Sequence, residues 1–234
     1  MGLVINNLTK SFGKGDVETK VLKGIDMEVD EGGLVILKGA SGSGKTTLLS
    51  IIGGLLGRSG GEVTLNGENY LDINEKALTT MRLREIGFIF QSSHLIPYMK
   101  VIDQLAFVGE QAGMRSKDAR QKAEQLLREI GLGHRLKAYP NVLSGGEKQR
   151  VAIMRAWMNE PKMILADEPT ASLDAKRATE VMGMIRDNIR TNNSVGLMIT
   201  HDERLFDYAD RIYTLDDGHV VAEEKTEEKK LVHN

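Results

Sequence analysis

The amino-acid sequence predicts an α/β protein, because segments with the pattern of strands alternate with helical segments along its 234 residues. Leu34 to Leu37, Met163 to Ala166 and Val195 to Ile199 are almost continuously apolar, which is typical of strands buried on both faces of a parallel sheet. Ile25 to Asp30 instead alternates apolar and charged residues, as a half-exposed antiparallel strand does. We therefore expect a buried parallel core and an antiparallel region near the N-terminus.

The remaining elements follow from the same periodicities. A strand that ends at Leu65 runs into the tight-turn signal Asn66-Gly67, and a late hairpin turns at Asp217-Gly218. In the middle of the chain Ser116 is expected to cap a helix that stops at Gly131. The apolar stripe of this helix comprises Ala119, Ala123, Leu126, Leu127 and Ile130. We expect one domain over residues 1–234, with a helical subdomain at approximately 92–157 and a solvated charged tail at approximately 223–234.

Composition excludes several classes of protein. The chain has no cysteine, which excludes disulfides and thiolate metal sites. Its net charge of -2 gives no electrostatic reason to expect nucleic acid as a partner. No stretch approaches the roughly 20 apolar residues that cross a bilayer, and the N-terminus lacks the pattern of a signal peptide. We therefore expect a protein that does not itself span a membrane.

A phosphate-binding loop is predicted between the buried strand Leu34 to Leu37 and the apolar helix that follows. The segment fits the pattern G-x-x-x-x-G-K-[ST] with Gly39, Ala40, Ser41, Gly42, Ser43, Gly44, Lys45 and Thr46. Its glycines let backbone N–H groups approach phosphate oxygens, and the helix N-terminus adds partial positive charge. Lys45 would reach the β- and γ-phosphates, and the Thr46 hydroxyl would bind Mg²⁺. The alternative is a glycine-rich turn with an incidental lysine, which the flanking strand and helix disfavour.

Two acidic residues follow the buried strand Met163 to Ala166. Ligands of α/β sheets bind beyond the carboxyl ends of strands, where Asp167 and Glu168 fall. Because successive side chains of a strand point to opposite faces, we expect different roles for the two acids. Asp167 would orient Mg²⁺, directly or through water, and Glu168 would polarise the attacking water as general base. The alternative is an exposed acidic turn before Pro169.

The segment Leu143-Ser144-Gly145-Gly146-Glu147 predicts a second anion site. Ser144 and Glu147 form a capping box for a helix from Lys148 to Trp157. A cap alone would not favour two glycines, since Gly in a helical turn costs roughly 0.5–1 kcal/mol relative to Ala. The glycines make sense where a bulky anion must approach the helix end. That anion can belong to a nucleotide held by another copy of the chain, an interpretation that the spacing alone leaves open.

With these segments in place, nearly the whole sequence resembles the ATP-binding subunits of ABC transporters. Six motifs occur in the order typical of the family: Walker A from Gly39 to Thr47, the Q-loop residue Gln91, the signature from Leu143 to Glu147, Walker B from Met163 to Glu168, the D-loop from Ala171 to Asp174, and the H-loop residue His201. The resemblance implies the P-loop NTPase fold of an ABC nucleotide-binding domain, with a RecA-like parallel-sheet core, an antiparallel β subdomain and a helical subdomain. It also implies ATP hydrolysis with ATP and Mg²⁺ as cofactors.

The resemblance further implies how the motifs act together. Two copies pack head to tail, so that Ser144 and Gly146 of one copy reach the γ-phosphate held by Lys45 of the other. Asp174 lies at the dimer interface. The implied catalytic residues are Glu168, His201, Gln91 and Lys45, and the implied metal ligands are Thr46, Gln91 and Asp167. The implied nucleotide-binding residues are Phe12, the loop from Gly39 to Thr47 (Gly39, Ala40, Ser41, Gly42, Ser43, Gly44, Lys45, Thr46 and Thr47), Ser144, Gly145, Gly146 and Glu147.

Two of these residues have plain alternatives. Phe12 would stack on adenine, where many relatives have Tyr, but an aromatic residue at this place can equally be core. His201 would contact the γ-phosphate, although a lone His after a strand is usually an ordinary hydrogen-bonded polar residue. The segment near Gln91 to Met99 is expected to be helical and to dock a membrane partner, and the alternative for its apolar side chains is ordinary core packing.

Within the family, the chain is similar to the MacB-like exporter group and most similar to the ATPase subunits of heme exporters of Gram-positive bacteria. The segments that carry the likeness to the MacB-like group run from Val21 to Ile25, from Gly39 to Thr47 and from Leu143 to Arg150. Those that carry the likeness to heme exporters run from Phe88 to Tyr98, from Ala152 to Ala156 and from Arg204 to Arg211. The resemblance implies a homodimer of ATPase subunits bound to two copies of an integral-membrane permease, peripheral to the cytoplasmic face of the cell membrane. Heme would be the cargo, contacted by the permease and not by this chain.

Three other function classes compete with this interpretation. An ABC ATPase acting on DNA or ribosomes would be expected to carry a long coiled coil, a second cassette or a basic surface, and the sequence has none of these. A small-molecule P-loop kinase would transfer phosphate to an acceptor, whereas the signature and Glu168 favour water as acceptor. A MacB-like complex with another cargo, or with a sensory or cell-division role, would have the same motifs and stays open.

Overall fold

The computed structural model describes residues 2–226, and the chain divides into two compact units. Among the described residues, the first unit comprises 2–73 and 186–226, and the second comprises 74–185. In chain order the strands are β1 (Leu3–Phe12), β2 (Thr19–Val29), β3 (Leu34–Lys38), β4 (Gly60–Leu65), β5 (Glu68–Asn69), β6 (Ile86–Phe90), β7 (Met163–Asp167), β8 (Val195–Ile199), β9 (Arg211–Asp216) and β10 (His219–Lys225). The α-helices are α1 (Lys45–Ile52), α2 (Glu75–Glu85), α3 (Val101–Gln111), α4 (Ser116–Glu129), α5 (Gly145–Trp157) and α6 (Ala175–Thr191).

The first unit contains an antiparallel sheet in the order β2-β1-β4-β5. The predicted alternation is confirmed in β2, where Ile25, Met27 and Val29 are buried and the two acids between them are exposed. The predicted turn after Leu65 is also confirmed, since Asn66 and Gly67 have φ of 54° and 84° and join β4 to β5. Two successive left-handed residues are what a tight hairpin needs to match the twist of its strands.

The first unit also contains parallel strand pairs, which position the phosphate loop. Strand β3 pairs in parallel with β8 on one side and with β9 on the other. Strand β10 returns antiparallel to β9 through the predicted turn at Asp217-Gly218. Residues 34–37 are at most 1% exposed, as the uninterrupted apolar pattern predicts. The expected solvated tail begins inside β10, and its residues 227–234 lie outside the described residues.

The second unit combines the parallel pair β6–β7 with helices. Helix α4 buries Ala119, Ala123 and Leu127, as the apolar stripe predicts, and the chain turns after it at Gly131 with φ of 74°. The prediction that Ser116 caps this helix is wrong. The extended residue before the helix is Arg115, whose Nε donates to Asp118 Oδ2 at 2.6 Å, and Ser116 already belongs to the first helical turn.

The expected helix near Gln91 to Met99 is also wrong. Residues 91–100 contain turns and no helix, and α3 begins only at Val101. Two features explain the difference: Pro97 disfavours helical backbone at the residue before it, and His94 has a left-handed φ of 44°. The side chain of Gln104 holds the second half of the segment by donating to the carbonyls of Ile96 and Met99, five and eight residues after Gln91. The helices of the expected subdomain at 92–157 therefore start at residue 101.

None of the helices between residues 2 and 226 has both the length and the apolar character of a segment that crosses a bilayer.

Candidate functional site

The phosphate loop closes tightly around the ammonium group of its lysine. Lys45 is 7% exposed, and its Nζ donates to the carbonyl oxygens of Gly39 and Ala40, both at 2.7 Å. A Cβ on Gly39 would lie 2.0 Å from the carbonyl oxygen of Leu215, and one on Gly44 would lie 2.8 Å from Leu22 Cδ2. Both glycines have positive φ, which disfavours a side chain at either position, and the backbone oxygen beside Gly39 leaves no space for one there. The loop therefore requires the glycines that the motif places there.

The outer part of the loop is open and polar. A Cβ on Gly42 would meet nothing within 4 Å, and Ala40, Ser41 and Thr46 are exposed. By contrast, the Ser43 hydroxyl is buried, with no hydrogen-bond partner among the described residues. The loop leads into the first turn of α1, whose unpaired N–H groups make a helix N-terminus attractive to an anion. The arrangement can hold phosphate groups against the loop and beside the lysine.

His201 lies at the same sheet edge as the phosphate loop. Strands β3 and β8 are parallel, with Leu37 opposite Ile199. Gly39 and His201 each come two residues after this pair, beyond the ends of β3 at Lys38 and of β8 at Ile199, so both lie at the same edge of the sheet. Thr200 is completely buried, whereas the His201 side chain is exposed. The structure thus brings the predicted H-loop residue to the edge that carries the lysine loop.

Phe12 is not a core residue. Its side chain is 42% exposed at the end of β1, and Lys10 Nζ lies 4.8 Å from the centroid of its ring. Across the β1–β2 ladder Phe12 is opposite Thr19, two residues before Val21. The carbonyl oxygen of Val21 lies 3.1 Å from the place of a Cβ on Gly44. Phe12 therefore presents an exposed aromatic ring on the strand pair β1–β2, and residue Val21 of β2 lies beside the phosphate loop.

Gln91, Asp167 and Glu168 share a sheet edge in the second unit. Strands β6 and β7 are parallel, with Phe90 opposite Asp167. Gln91 and Glu168 are therefore the residues that directly follow this last pair of the two strands. The strand ends at Asp167, and Glu168 has a left-handed φ of 48°. Because Glu168 lies beyond the end of the strand and its backbone turns out of it, strand alternation does not apply to Glu168, and the different roles of the two acids stay a prediction. A left-handed non-glycine residue costs roughly 1–2 kcal/mol, and such strain is concentrated at functional sites.

The signature segment forms the predicted capping box. The Ser144 N–H donates to Glu147 Oε2 at 2.8 Å, and the Glu147 N–H donates to Ser144 Oγ at 3.3 Å. The backbone hydrogen bond from Ser144 is the largest cause that lowers the pKa of the Glu147 carboxyl, and Arg135 adds to it. The helix begins at Gly145 rather than Lys148, so both glycines lie in its first turn. A Cβ on Gly145 would meet nothing within 4 Å, whereas one on Gly146 would lie 3.3 Å from Arg177 Cδ.

Sequence reasoning missed two polar residues of α5, Gln149 and Arg155. Gln149 is 2% exposed, and Arg155 donates through both Nη atoms to the carbonyls of Ser93 and His94 at 2.9 Å. Gln149 has three-residue spacing from the buried Gly146 and four-residue spacing to the buried Ile153. The sequence signal that could have found Gln149 is a polar residue on a buried helical stripe, because a buried polar group almost always has a hydrogen-bond partner.

Comparisons with known proteins support the family resemblance that the sequence motifs indicate. The family model described as ABC transporter matches residues 22–171. The chain is 59% identical over 220 residues to the hemin import ATP-binding protein HrtA of Staphylococcus haemolyticus, a match that covers 94% of this chain and 99% of that protein. It is 60% identical over 218 residues to the protein of the same name from Staphylococcus saprophyticus, covering 93% and 98% of the two chains.

Solved structures agree with this family. The dimeric post-hydrolysis state of the ATP-binding cassette MJ0796, bound to ADP and Pi, matches with a TM-score of 0.86 and 34% identity over 96% of this chain and 99% of that one. The cbiO1 protein of Clostridium perfringens, part of the ABC transporter complex cbiONQ, matches with a TM-score of 0.85 and 26% identity over 96% and 88%. The predicted fold class and ATPase activity are confirmed. The chain belongs to the ABC transporter family, as an ATP-binding subunit that hydrolyses ATP.

Proposed function

We propose that two copies of this chain close head to tail around two ATP molecules and thereby drive two copies of a separate membrane permease. One observation supports the proposal: the start of α5 is an exposed helix N-terminus, and we infer that it is a second place for an anion in addition to the phosphate loop. A Cβ on Gly145 would meet nothing within 4 Å, and the neighbouring Ser144 is exposed. Because the phosphate loop with Lys45 serves the triphosphate of its own copy, the second site fits a phosphate group that another copy supplies.

Each motif then has a role toward the nucleotide. Lys45 contacts the β- and γ-phosphates, and the backbone N–H groups of the loop from Gly39 to Thr47 donate to phosphate oxygens. The exposed ring of Phe12 stacks on adenine. Ser144 and Gly146 of the other copy contact the γ-phosphate, while Glu147 serves this contact through the capping box. His201 contacts the γ-phosphate and helps to hold the catalytic geometry.

The donor set fits a magnesium ion that arrives with ATP. Between residues 2 and 226 no group of three or more His, Cys, Asp and Glu side chains could hold a metal. Mg²⁺ typically takes only a few protein ligands and completes its shell with phosphates and water. Thr46, Gln91 and Asp167 offer a hydroxyl, an amide oxygen and a carboxylate, and the bound ion would neutralise phosphate charge.

Hydrolysis depends on Glu168 and Gln91. Glu168 accepts a proton from the attacking water, and Gln91 orients that water. In the closed dimer both copies neutralise the γ-phosphate, so closure is stabilised only while this group is present. Hydrolysis removes the bridge, and reopening of the dimer moves the permease. In this cycle the chain binds its permease at the cytoplasmic face of the membrane and does not insert into the bilayer.

We propose heme as the cargo, contacted by the permease and not by this chain. The relatives named hemin import ATP-binding protein support a heme compound. Their name states import, whereas the likeness to the MacB-like group favours export, and we propose export. A MacB-like complex with another cargo, or with a sensory or cell-division role, is the second candidate, since its ATPase motifs would be identical.

The test is transport by the complex of this chain with the permease that co-purifies with it. Inside-out vesicles that contain the complex are supplied with ATP and heme in the outer medium. Export predicts ATP-dependent accumulation of heme in the lumen and heme-stimulated ATPase activity, and vesicles with Glu168→Gln serve as the control. Loss of preloaded heme would indicate import, and the absence of any heme-dependent response would favour the second candidate.

A further inference from the structure

One buried side chain joins the backbone beside two of the proposed catalytic residues. Gln149 of α5 is 2% exposed, and its Nε2 donates to the carbonyl of Phe90 at 3.1 Å and to that of Pro169 at 2.8 Å. Phe90 immediately precedes Gln91, and Pro169 immediately follows Glu168. A primary amide has two N–H donors, so both are used, one for each loop. One amide group therefore restrains the distance between the backbones of Gln91 and Glu168.

The two loops need this restraint because neither is held by regular structure. Strands β6 and β7 end at Phe90 and Asp167, so Gln91 and Glu168 lie just beyond the last ladder pair. Glu168 has a φ of 48°, a conformation that persists only when its surroundings impose it. The hydrogen bond to the next residue, Pro169, is such a constraint.

Arg155 holds the other side of the Gln91 loop from the same helix. Its Nη1 and Nη2 donate to the carbonyls of His94 and Ser93, both at 2.9 Å. Arg155 and Gln149 are six residues apart on α5, and together they fasten the backbone before and after Gln91. The helix that does this begins at the signature residues, with Ser144 as its cap.

We infer that Gln149 is a positioning residue for ATP hydrolysis: through two carbonyl oxygens it fixes Gln91 and Glu168 relative to each other and to the signature helix. The inference rests on the roles proposed above for Gln91 and Glu168. Gln149 acts through the backbone of its neighbours and does not contact the nucleotide. Its removal lets the water-orienting amide and the general base drift apart, and a misplacement of about 1 Å at a catalytic group costs up to roughly 10²-fold in rate.

The test compares Gln149→Met with a matched variant, Gln104→Met. Gln104 is also 2% exposed and also donates from Nε2 to two carbonyls, those of Ile96 and Met99, and it accepts from the Ile96 N–H at 3.0 Å. Methionine has nearly the size of glutamine and donates no hydrogen bond. ATPase activity of the permease-free chain, affinity for a fluorescent ATP analogue and melting temperature are measured for both.

For Gln149→Met we expect kcat to fall about 10- to 100-fold, with KM and analogue affinity within about 3-fold of wild type. For Gln104→Met, which loses one hydrogen bond more, we expect an equal or larger drop in melting temperature, with kcat within about 3-fold. If Gln149→Met does not fold, Gln149→Asn replaces it; this variant keeps the amide but withdraws it by one methylene, and the same loss in kcat is expected.

Glu168→Gln is measured in parallel, so that a failure of the positioning role of Gln149 can be distinguished from a failure of the proposed role of Glu168. A normal kcat in the Gln149 variant beside an inactive Glu168→Gln overturns the positioning role and leaves the proposed function intact. Equal losses of kcat in the Gln149 and Gln104 variants also overturn it, because they show general destabilisation. Continued multiple turnover by Glu168→Gln contradicts the proposed general base, and the positioning role falls with it.

Discussion

A negative charge at Gly145 should stabilise the single chain and disable the dimer. Gly145 is the first residue of α5, and a Cβ there would meet nothing within 4 Å, so the side chain of Gly145→Asp starts in open space. A carboxylate in the first turn of a helix gains roughly 0.3–1 kcal/mol from the helix dipole, equivalent to at most about 2–4 °C in melting temperature. In the closed dimer the same carboxylate would face the γ-phosphate of the other copy.

The size of the second effect follows from Coulomb's law. Two like unit charges about 5 Å apart repel by roughly 3 kcal/mol at an effective dielectric constant of about 20, which is about 100-fold in an equilibrium constant. Gly145→Asn has the same shape without the charge and is the matched control. Because the homodimer contains two such pairs, we expect the dimerisation constant of the Asp variant with ATP to be about 10⁴-fold below that of the Asn variant and its ATPase activity to be at least about 100-fold lower, with partial recovery at high salt.

The assay combines differential scanning fluorimetry, ATP turnover and light scattering with ATP. Equal turnover in the Asp and Asn variants would refute the idea that this helix end receives phosphate. A melting temperature of the Asp variant several degrees below that of the Asn variant would refute the structural part, because it would show that residue 145 is not free in the single chain.

Three further predictions concern other motifs. Glu168→Gln should keep ATP binding, lose turnover and accumulate as an ATP-bound dimer in size-exclusion chromatography with light scattering, and repeated turnover by this variant would contradict its role as general base. Phe12→Ala should raise KM for ATP about 5- to 150-fold, since base–aromatic stacking contributes roughly 1–3 kcal/mol, whereas Phe12→Tyr should stay within about twofold; equal KM in all three proteins would exclude stacking. The pKa of Glu147 is held below its ordinary value chiefly by the backbone N–H of Ser144. The stabilisation from its charge is therefore fully present above the unfolded pKa of about 4.3 and is lost as the pH falls through the folded pKa. Chemical unfolding of wild type and Glu147→Gln should accordingly differ above about pH 4.3 and converge in acid, and a difference independent of pH would contradict this.

Much of the fold could be predicted because it depends on local periodicity. The buried strand at residues 34–37 and the alternating strand at 25–30 were both expected from their apolar patterns, and the structure has β3 and β2 there, with β2 ending at Val29. The phosphate loop was expected because its glycines satisfy local demands of backbone and space. Turns at Asn66 and Asp217 followed from residues that tolerate positive φ.

What was missed depends on contacts distant in sequence. Gln149 meets the carbonyl of Phe90, 59 residues earlier, and that of Pro169, 20 residues later, and no periodicity reports such partners. The segment at residues 91–100 carries apolar residues at helix-like spacing, but Pro97 disfavours a helix there and the side chain of Gln104 binds the carbonyl of Ile96. The left-handed backbone of Glu168 is likewise invisible in a run that reads as the end of a strand.

The head-to-tail dimer is tested most directly by the structure of the Glu168→Gln variant with ATP. We expect Lys45 of one copy and Ser144 of the other to lie within hydrogen-bonding distance, about 2.7–3.2 Å, of the same γ-phosphate. A nucleotide-bound structure in which the residues from Ser144 to Gly146 of both copies lie far from every γ-phosphate would contradict it.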